Sequence, residues 1–439
     1  MDPHIKPIRS AQIPMISDLQ ARFIKQLDDD ATYMDLFVII EKMAQDLLNQ
    51  DKVPCREMIR AVEGDLEEKE MRLLLHSIPR PVLRSLVMRT LAYDFWEKDT
   101  ERRRNMLYDF EGPGVYVMSL SIEGRHGEGW SIEENNQLLT ALMHYGKAIE
   151  ACEKRDVTDD WGNSQFDDET IKSLNVAMKI DKQYAESDVW DGETYPMPRF
   201  ASTSNTDKSK HVKELFHLLE TSRNVAGWDR NANSLQSVCM VGNSDDVEKQ
   251  KQSHSLIGSL TNTPHTWGLL VSCLRYIGLE PEETCIPICK SWKPEHTNQA
   301  EILITILSGS LISVGGLNVH QLGLKPGSNP PPDKVFEQCR KHVWLNRGWF
   351  KDNLEHTLMK APGYSETQKT IADIFQLTME DIKKMAMEEE ESRNLVVSSK
   401  LALEREIENT EEECDKAEEA LKYAKEVSDE YELLKGLFF

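Results

Sequence analysis

Cationic side chains gather in three places along a chain that is otherwise acidic. Between Arg80 and Arg104 stand seven basic residues (Arg80, Arg84, Arg89, Lys98, Arg102, Arg103, Arg104) against four acids. Between Arg199 and Arg230 there are six (Arg199, Lys208, Lys210, Lys213, Arg223, Arg230) against four, and between Lys334 and Lys360 six (Lys334, Arg340, Lys341, Arg347, Lys351, Lys360) against three. Aromatic residues interleave the last two: Tyr195, Phe200 and Trp228 in one, Trp344, Trp349 and Phe350 in the other. Cations that track phosphates beside π-faces that stack on bases are the means of holding a single nucleic-acid strand. An ordinary solvated helix face carries the same residue types. Convergence of the three segments on one groove is what separates the two readings.

Other chemistry is sparse. Cys285-x3-Cys289, with Cys273 upstream and His296 downstream, resembles half of a zinc site, but a closed site pairs two such dipeptides and the second is missing. Cysteines at helical spacing also serve as small hydrophobes on a core face. Gly124–Arg–His–Gly–Glu–Gly129 lacks the Gly-Lys-Ser/Thr ending of a phosphate loop and the dinucleotide spacing, so a hairpin turn accounts for it. His-Glu-x-x-His and Gly-x-Ser-x-Gly are absent. His144 lies on an apolar face with Leu139, Leu142, Met143 and Tyr145, the place of a hydrogen-bonded core histidine. No nucleophile or general base can be nominated. The expectation is a protein that is not an enzyme and needs neither metal nor cofactor.

The elements that position these residues read as helices. The chain has 439 residues, and 52 basic against 75 acidic side chains leave a formal net charge of −23. That charge argues against a generally basic nucleic-acid coat and against attraction to anionic membranes. Apolar spacings of three and four predict helices over 15–50, from Pro54 to about Ile78, and from Val82 to about Leu107. Val115 to Ile122 is rich in strand formers, and Gly124, Gly127 and Gly129 follow it, which predicts a β-hairpin near 115–130. Ser131 with Glu134 makes a capping box for a helix to about Glu153. An acidic stretch, 150–195, holds one helix from Glu169 to Ala185. Further helices are expected near 207–225, 245–260, 265–279, 281–292, 297–314, 333–346 and 364–391, the one over 297–314 ending at Gly315–Gly316.

The fold class expected is mostly α: two helical lobes, one small hairpin in the first, and a helical extension. The boundaries are an arm over 1–14, a lobe over 15–198, a second lobe over 199–386 and an acidic tail over 387–439. The tail carries seventeen acids and seven bases. Its Leu403, Ile407, Cys414, Ala417, Leu421, Ala424 and Tyr431 fall on a heptad seam. The longest apolar run, Ile302 to Val319, is broken by serines and glycines and is too short for a span. The N-terminal residues lack the apolar core of a signal peptide, and eight scattered cysteines fit reduced thiols. The expected setting is the inside of a cell.

Taken together, the chain length, the two helical lobes, the early hairpin at Val115–Ile122 and the charged extension 387–439 resemble the nucleocapsid (coat) proteins of negative-strand RNA viruses, of ophiovirus or rhabdovirus type. The Ser-Pro-Tyr-Ser segment of animal rhabdovirus nucleoproteins has only Ala361–Pro–Gly–Tyr–Ser365 as its nearest string, which leaves the ophiovirus-like label preferred. The resemblance implies that the lobes clamp single-stranded viral RNA through its phosphates, without reading sequence. It implies a homo-oligomer, filament or ring, built by exchange of the arm 1–14 and the tail 387–439. A viral polymerase or phosphoprotein-like protein would be a further partner, membranes would not, and the location would be host cytoplasm and virion, with the nucleus open. The residues expected on the RNA are Arg84, Arg89, Arg199, Lys208, Lys210, Lys213, Arg223, Arg230, Arg340, Lys341 and Arg347. The competing expectation is a helical scaffold or adaptor acting through its coiled-coil-like tail.

Overall fold

The computed structural model describes residues 16–49, 65–97, 101–109, 111–157, 166–183, 196–202, 207–223, 229–247, 265–318 and 331–361. The chain divides into two compact units, Met1–Ala31 with Asp35–Phe350, and Thr32–Met34 with Lys351–Phe439. The described residues are mostly helical with one small sheet. Among them no helix is long and apolar enough to cross a membrane.

Three strands, β1 (Gly114–Ile122), β2 (Cys239–Ser244) and β3 (Pro281–Lys290), lie in the order β2–β1–β3 with both pairings antiparallel. Every residue of β1 is buried. A strand covered on both faces must be apolar or small throughout, which is what Val–Tyr–Val–Met–Ser–Leu–Ser–Ile provides. Tyr116, Met118, Leu120 and Ile122 enter a core shared with α7 (Ile132–Val157), α8 (Asp168–Asp181), α9 (Lys210–Arg223) and α10 (His265–Tyr276). Leu142 and Tyr145 of α7, Leu174 of α8, Leu215 of α9 and Trp267 of α10 belong to that core. A further helix, α11 (His296–Ser308), packs against all three strands. Tyr116 stands opposite Gly242, where a Cβ would run into the Tyr116 hydroxyl, so the ladder needs glycine there.

The hairpin expected near 115–130 is corrected. β1 occupies the predicted stretch, and Gly124 (φ 78°) and Gly127 (φ 84°) do turn the chain, with Ile122 N donating to Glu128 O at 2.9 Å. No return strand follows. Ser131 Oγ accepts from Glu134 N at 3.3 Å and Glu134 Oε2 accepts from Ser131 N at 2.8 Å, so the predicted capping box starts α7 at once. The partners come from far along the chain instead. The helix expected over 281–292 is strand β3: Pro281, read as a helix start, opens a strand. Pro287 sits where the register slips between Val115 and Tyr116, on an edge strand that can spare an N–H. The sheet thus draws on both sides of the boundary expected at residue 198.

Helix ends differ where polar side chains intervene. α1 (Asp18–Asp28) is capped reciprocally by Ser17 and Gln20, and α2 (Tyr33–Asn49) buries Leu36, Ile39, Ile40, Met43 and Leu47 as its periodicity predicts. The next described helix is α3 (Asp65–His76). The single helix expected from Val82 to Leu107 is three: α4 (Arg80–Met88), α5 (Leu91–Asp94) and α6 (Glu101–Met106). Arg89 turns left-handed (φ 58°), and Asp94 Oδ2 accepts from the Ser85 and Thr90 hydroxyls at 2.6 Å each, which folds the chain back at the break. α11 stops at Gly309 (φ 58°), short of the expected Gly315–Gly316. α10 ends as predicted, Gly278 being left-handed at φ 87°. α12 (Asp333–Asn346) matches expectation, and α13 (Gly348–Lys360) was not foreseen.

Of the second unit, Thr32–Met34 and residues 351–361 are described; within it Lys351 Nζ stands 3.5 Å from Glu355 Oε1, one turn on in α13. The arm 1–14, the helices expected at 245–260 and 364–391, and the tail 387–439 with its heptad seam lie outside the described residues. So do Lys98, Tyr195, Trp228 and the side chains of Arg102 and Arg223.

Candidate functional site

The nominated cations go to different places. Arg89 is a correction: it lies inside the molecule, 8% exposed, its Nη1 donating to Gly315 O at 2.8 Å, where no phosphate reaches it. Arg84 is held on Asp28, with Nε and Nη2 donating at 3.0 and 3.3 Å. Lys213 pairs with Asp207 at 3.2 Å, Lys210 with Glu214 at 3.9 Å and Lys341 with Glu337 at 4.0 Å, while Arg340 donates to the same Glu337. Arg199 is exposed, and its backbone N–H is fixed by Asp181 Oδ2 at 3.0 Å. The Lys208 backbone N–H donates to Glu153 Oε1 at 3.1 Å. Arg230 is exposed, and its carbonyl accepts from Glu133 N at 3.3 Å. Leu218, Leu219 and Ser222 of the 199–230 stretch line a cavity with Arg89, and none of that stretch's described cations lines it.

Two of the three basic segments do meet. α12 buries Phe336, Cys339 and Val343 on one stripe, and its break at Arg347, which adopts an extended φ of −117°, aims that side chain at the end of α6. Arg347 Nη1 donates to Arg104 O at 3.3 Å, its Nε donates to His342 Nε2 at 3.1 Å, and its guanidinium lies 5.2 Å from the Trp349 ring centroid. That last distance is within cation–π range. Trp349 is fixed in turn: its Nε1 donates to Ser77 O at 2.9 Å, which also accepts from the Tyr108 hydroxyl at 2.8 Å, and the two rings meet edge to face at 5.4 Å. Neither Arg347 nor Arg104 has a carboxylate partner among the described residues.

Behind this surface lies a charge relay anchored on a buried lysine. Lys290, 5% exposed at the end of β3, is paired with Asp109 Oδ1 and donates to Glu111 O at 2.7 Å. Asp109 Oδ2 stands 3.5 Å from His342 Nε2. Burial alone would raise the Asp109 pKa, yet the bond to Lys290 and the charges of Lys290 and His342 hold it below the usual carboxylate range. Burial, then the Lys290 charge, lower that of His342. Sequence reading nominated Arg347 but missed Asp109, Lys290 and His342. A lone basic residue inside β3 was the available signal.

Two cavities among the described residues do not compete as ligand sites. The one beside Trp130, Asn135, Ser222 and Ser237 has about 60 Å³. A cavity of roughly 150 Å³ is the size that takes a benzene ring. A groove of about 330 Å³ between α1, α2 and residues 306–314 is walled by Leu19, Met43, Leu47, Ile306 and Val314. Asp46 stands exposed at its rim, and the Arg89 in its wall is committed to Gly315. That is no phosphate site.

The half zinc site dissolves. Cys285 and Cys289 are buried thiols in β3, His296 Nε2 is occupied by Glu70 Oε2 at 2.5 Å, and among the described residues no group of three His, Cys, Asp or Glu could hold a metal ion. The would-be phosphate loop is a turn whose Arg125 is clamped on Glu134 at 2.9 and 2.7 Å. His144 is the bonded core histidine expected, its Nδ1 3.0 Å from Ser173 Oγ. No protein-family model, curated protein or solved structure matches this chain.

Proposed function

We propose that this chain is an RNA-binding nucleoprotein that sheathes single-stranded RNA without sequence preference. The observation that carries the reading is the junction of Arg347 and Arg104 beside Trp349. Two basic segments far apart in the sequence meet there, and the Arg347 guanidinium lies over the Trp349 ring with no carboxylate on it among the described residues. A guanidinium gives a phosphate two parallel donors, and an indole face takes any base, so such a surface discriminates little between sequences. Exposed pairs such as Lys213–Asp207, with side chains 59% and 39% exposed, are worth only about 0–1 kcal/mol. A polyanion displaces the carboxylate at small cost. Assembly through terminal segments and the viral setting belong to the same proposal.

The test is fluorescence anisotropy with a labelled 20-nucleotide poly(U) at 50 and 200 mM salt. Binding that falls with salt, and at least tenfold with Arg104→Glu/Arg347→Glu, supports the reading. Equal binding by the reversed protein removes it.

A second reading, a helical interaction scaffold, is favoured by one observation: Arg84, Lys213 and Arg340 each sit on a neighbouring carboxylate. It gains if the full chain ignores poly(U) at 50 mM salt yet captures a protein partner that a chain lacking 387–439 does not.

A further inference from the structure

The Arg347 surface contains a conflict over one atom. His342 Nε2 lies 3.1 Å from the Arg347 Nε–H, which needs a lone pair, and 3.5 Å from Asp109 Oδ2, which needs a proton. A single ring nitrogen serves one of them at a time. Neutral His342, with its proton on Nδ1, accepts from Arg347. The guanidinium is then parked across Trp349 and against Arg104 O. Protonated His342 points N–H at Asp109, takes the acceptor from Arg347 and places a positive charge beside it.

We propose that His342 is the positioning residue for Arg347 and that its protonation hands the guanidinium from the protein to an RNA phosphate. The inference rests on the RNA-binding reading above. Every charged or titratable group known to face the ring takes a side. Asp109 and Glu111, from the segment after α6, favour the imidazolium; Lys290, from β3, and Arg347, from the end of α12, oppose it. Tyr108 lies 6.1 Å away, ring to ring, with its hydroxyl committed to Ser77. Cys339, one turn back on α12, is held as a neutral thiol by burial. Lys290 is already paired with Asp109 Oδ1, so the free work of that carboxylate is done by Oδ2, the oxygen nearer His342. Release of Arg347 adds one phosphate contact, which steepens the slope of log affinity against log salt by about 0.7 for a single strand.

The experiment follows the Arg347 Nε–H resonance in the full chain, without RNA, from pH 7.5 to 5, and measures poly(U) 20-mer affinity and its salt slope at both ends. It uses the wild type, His342→Gln and Arg347→Gln. The expected result is an Arg347 resonance that titrates with the His342 ring in the wild type and stays fixed in His342→Gln. Affinity should rise at least threefold on acidification in the wild type alone. An Arg347 resonance that does not move overturns the proposal, and the wild-type titration decides this even if His342→Gln fails to fold. An equal rise in Arg347→Gln also overturns it, because the imidazolium charge would then act by itself. If the resonance titrates while poly(U) binds at neither pH, the coupling stands and the RNA reading falls.

Discussion

Two partly buried carboxylates in this molecule respond to acid in opposite ways. Asp181 accepts from the Tyr145 hydroxyl at 2.6 Å and from Arg199 N at 3.0 Å, pinning the segment 196–202 to α8, and burial pushes its pKa up to about 6. The fold therefore keeps a proton that the unfolded chain gives up near pH 4. Stability from this group is full below that pH and is lost as pH rises through 6, by about 2–3 kcal/mol. Asp181→Asn should flatten the slope of urea midpoint against pH between 4 and 6.5; an unchanged slope would show that another group sets it. Glu70 behaves conversely. Burial would raise its pKa, but the bonds and charges of His296 and Lys293, at 2.5 and 2.6 Å, outweigh this and bring it down to about 2. Its contribution is present above the ordinary carboxylate pKa and disappears as pH falls toward 2. Glu70→Gln leaves His296, wholly buried, beside an amide, and should cost about 2 kcal/mol or more at pH 7 by urea unfolding. At this scale the sequence was a poor guide. Arg347 could be nominated from charge and aromatic neighbours, but Asp109, Asp181 and Glu70 look like any other acids until the fold supplies their partners.

At the scale of elements, helices with local signals were legible and strands with distant partners were not. Ser131 and Glu134 announce α7, Gly278 announces the end of α10, and the stripe at Leu36, Ile39, Ile40, Met43 and Leu47 announces α2, because each signal acts within a turn or two. β2 was missed since Cys239–Ser244 is six residues with apolar side chains at one end only, and β3 since Pro281 mimics a helix start. What decides both is β1, which offers two open edges to whatever apolar segment reaches them. Ser131→Ala should cost about 1 kcal/mol in thermal or urea unfolding, the usual value of a lost cap. Gly242→Ala should cost more, because the Tyr116 hydroxyl must move; an unchanged midpoint would mean that the β1–β2 register is other than described.

At the scale of the molecule, the first unit joins residues whose charges the sequence places far apart. Two clusters converge at Arg104 and Arg347, while Lys210 and Lys213 of the third pair with Glu214 and Asp207. An RNA contact confined to that junction implies few phosphates, so the salt slope for poly(U) should be shallow, about −0.7 for each contact, and a slope steeper than about −4 would require surfaces beyond the junction. The clusters themselves were readable from charge alone. The meeting of two of them was not, because it depends on which helices pack on which face of a sheet that the sequence did not reveal.

The middle strand also sets a timetable. Ser121 bonds to Glu282 across 161 residues, so a ribosome must finish most of this chain before its central strand has both neighbours. Until then Val–Tyr–Val–Met–Ser–Leu–Ser–Ile stands ready to pair with the same segment of another nascent chain, a hazard that grows with the wait. Synthesis of this protein should lean on chaperones, and a polypeptide stopped at residue 200 should sediment as aggregate where one continued through 361 stays in the supernatant.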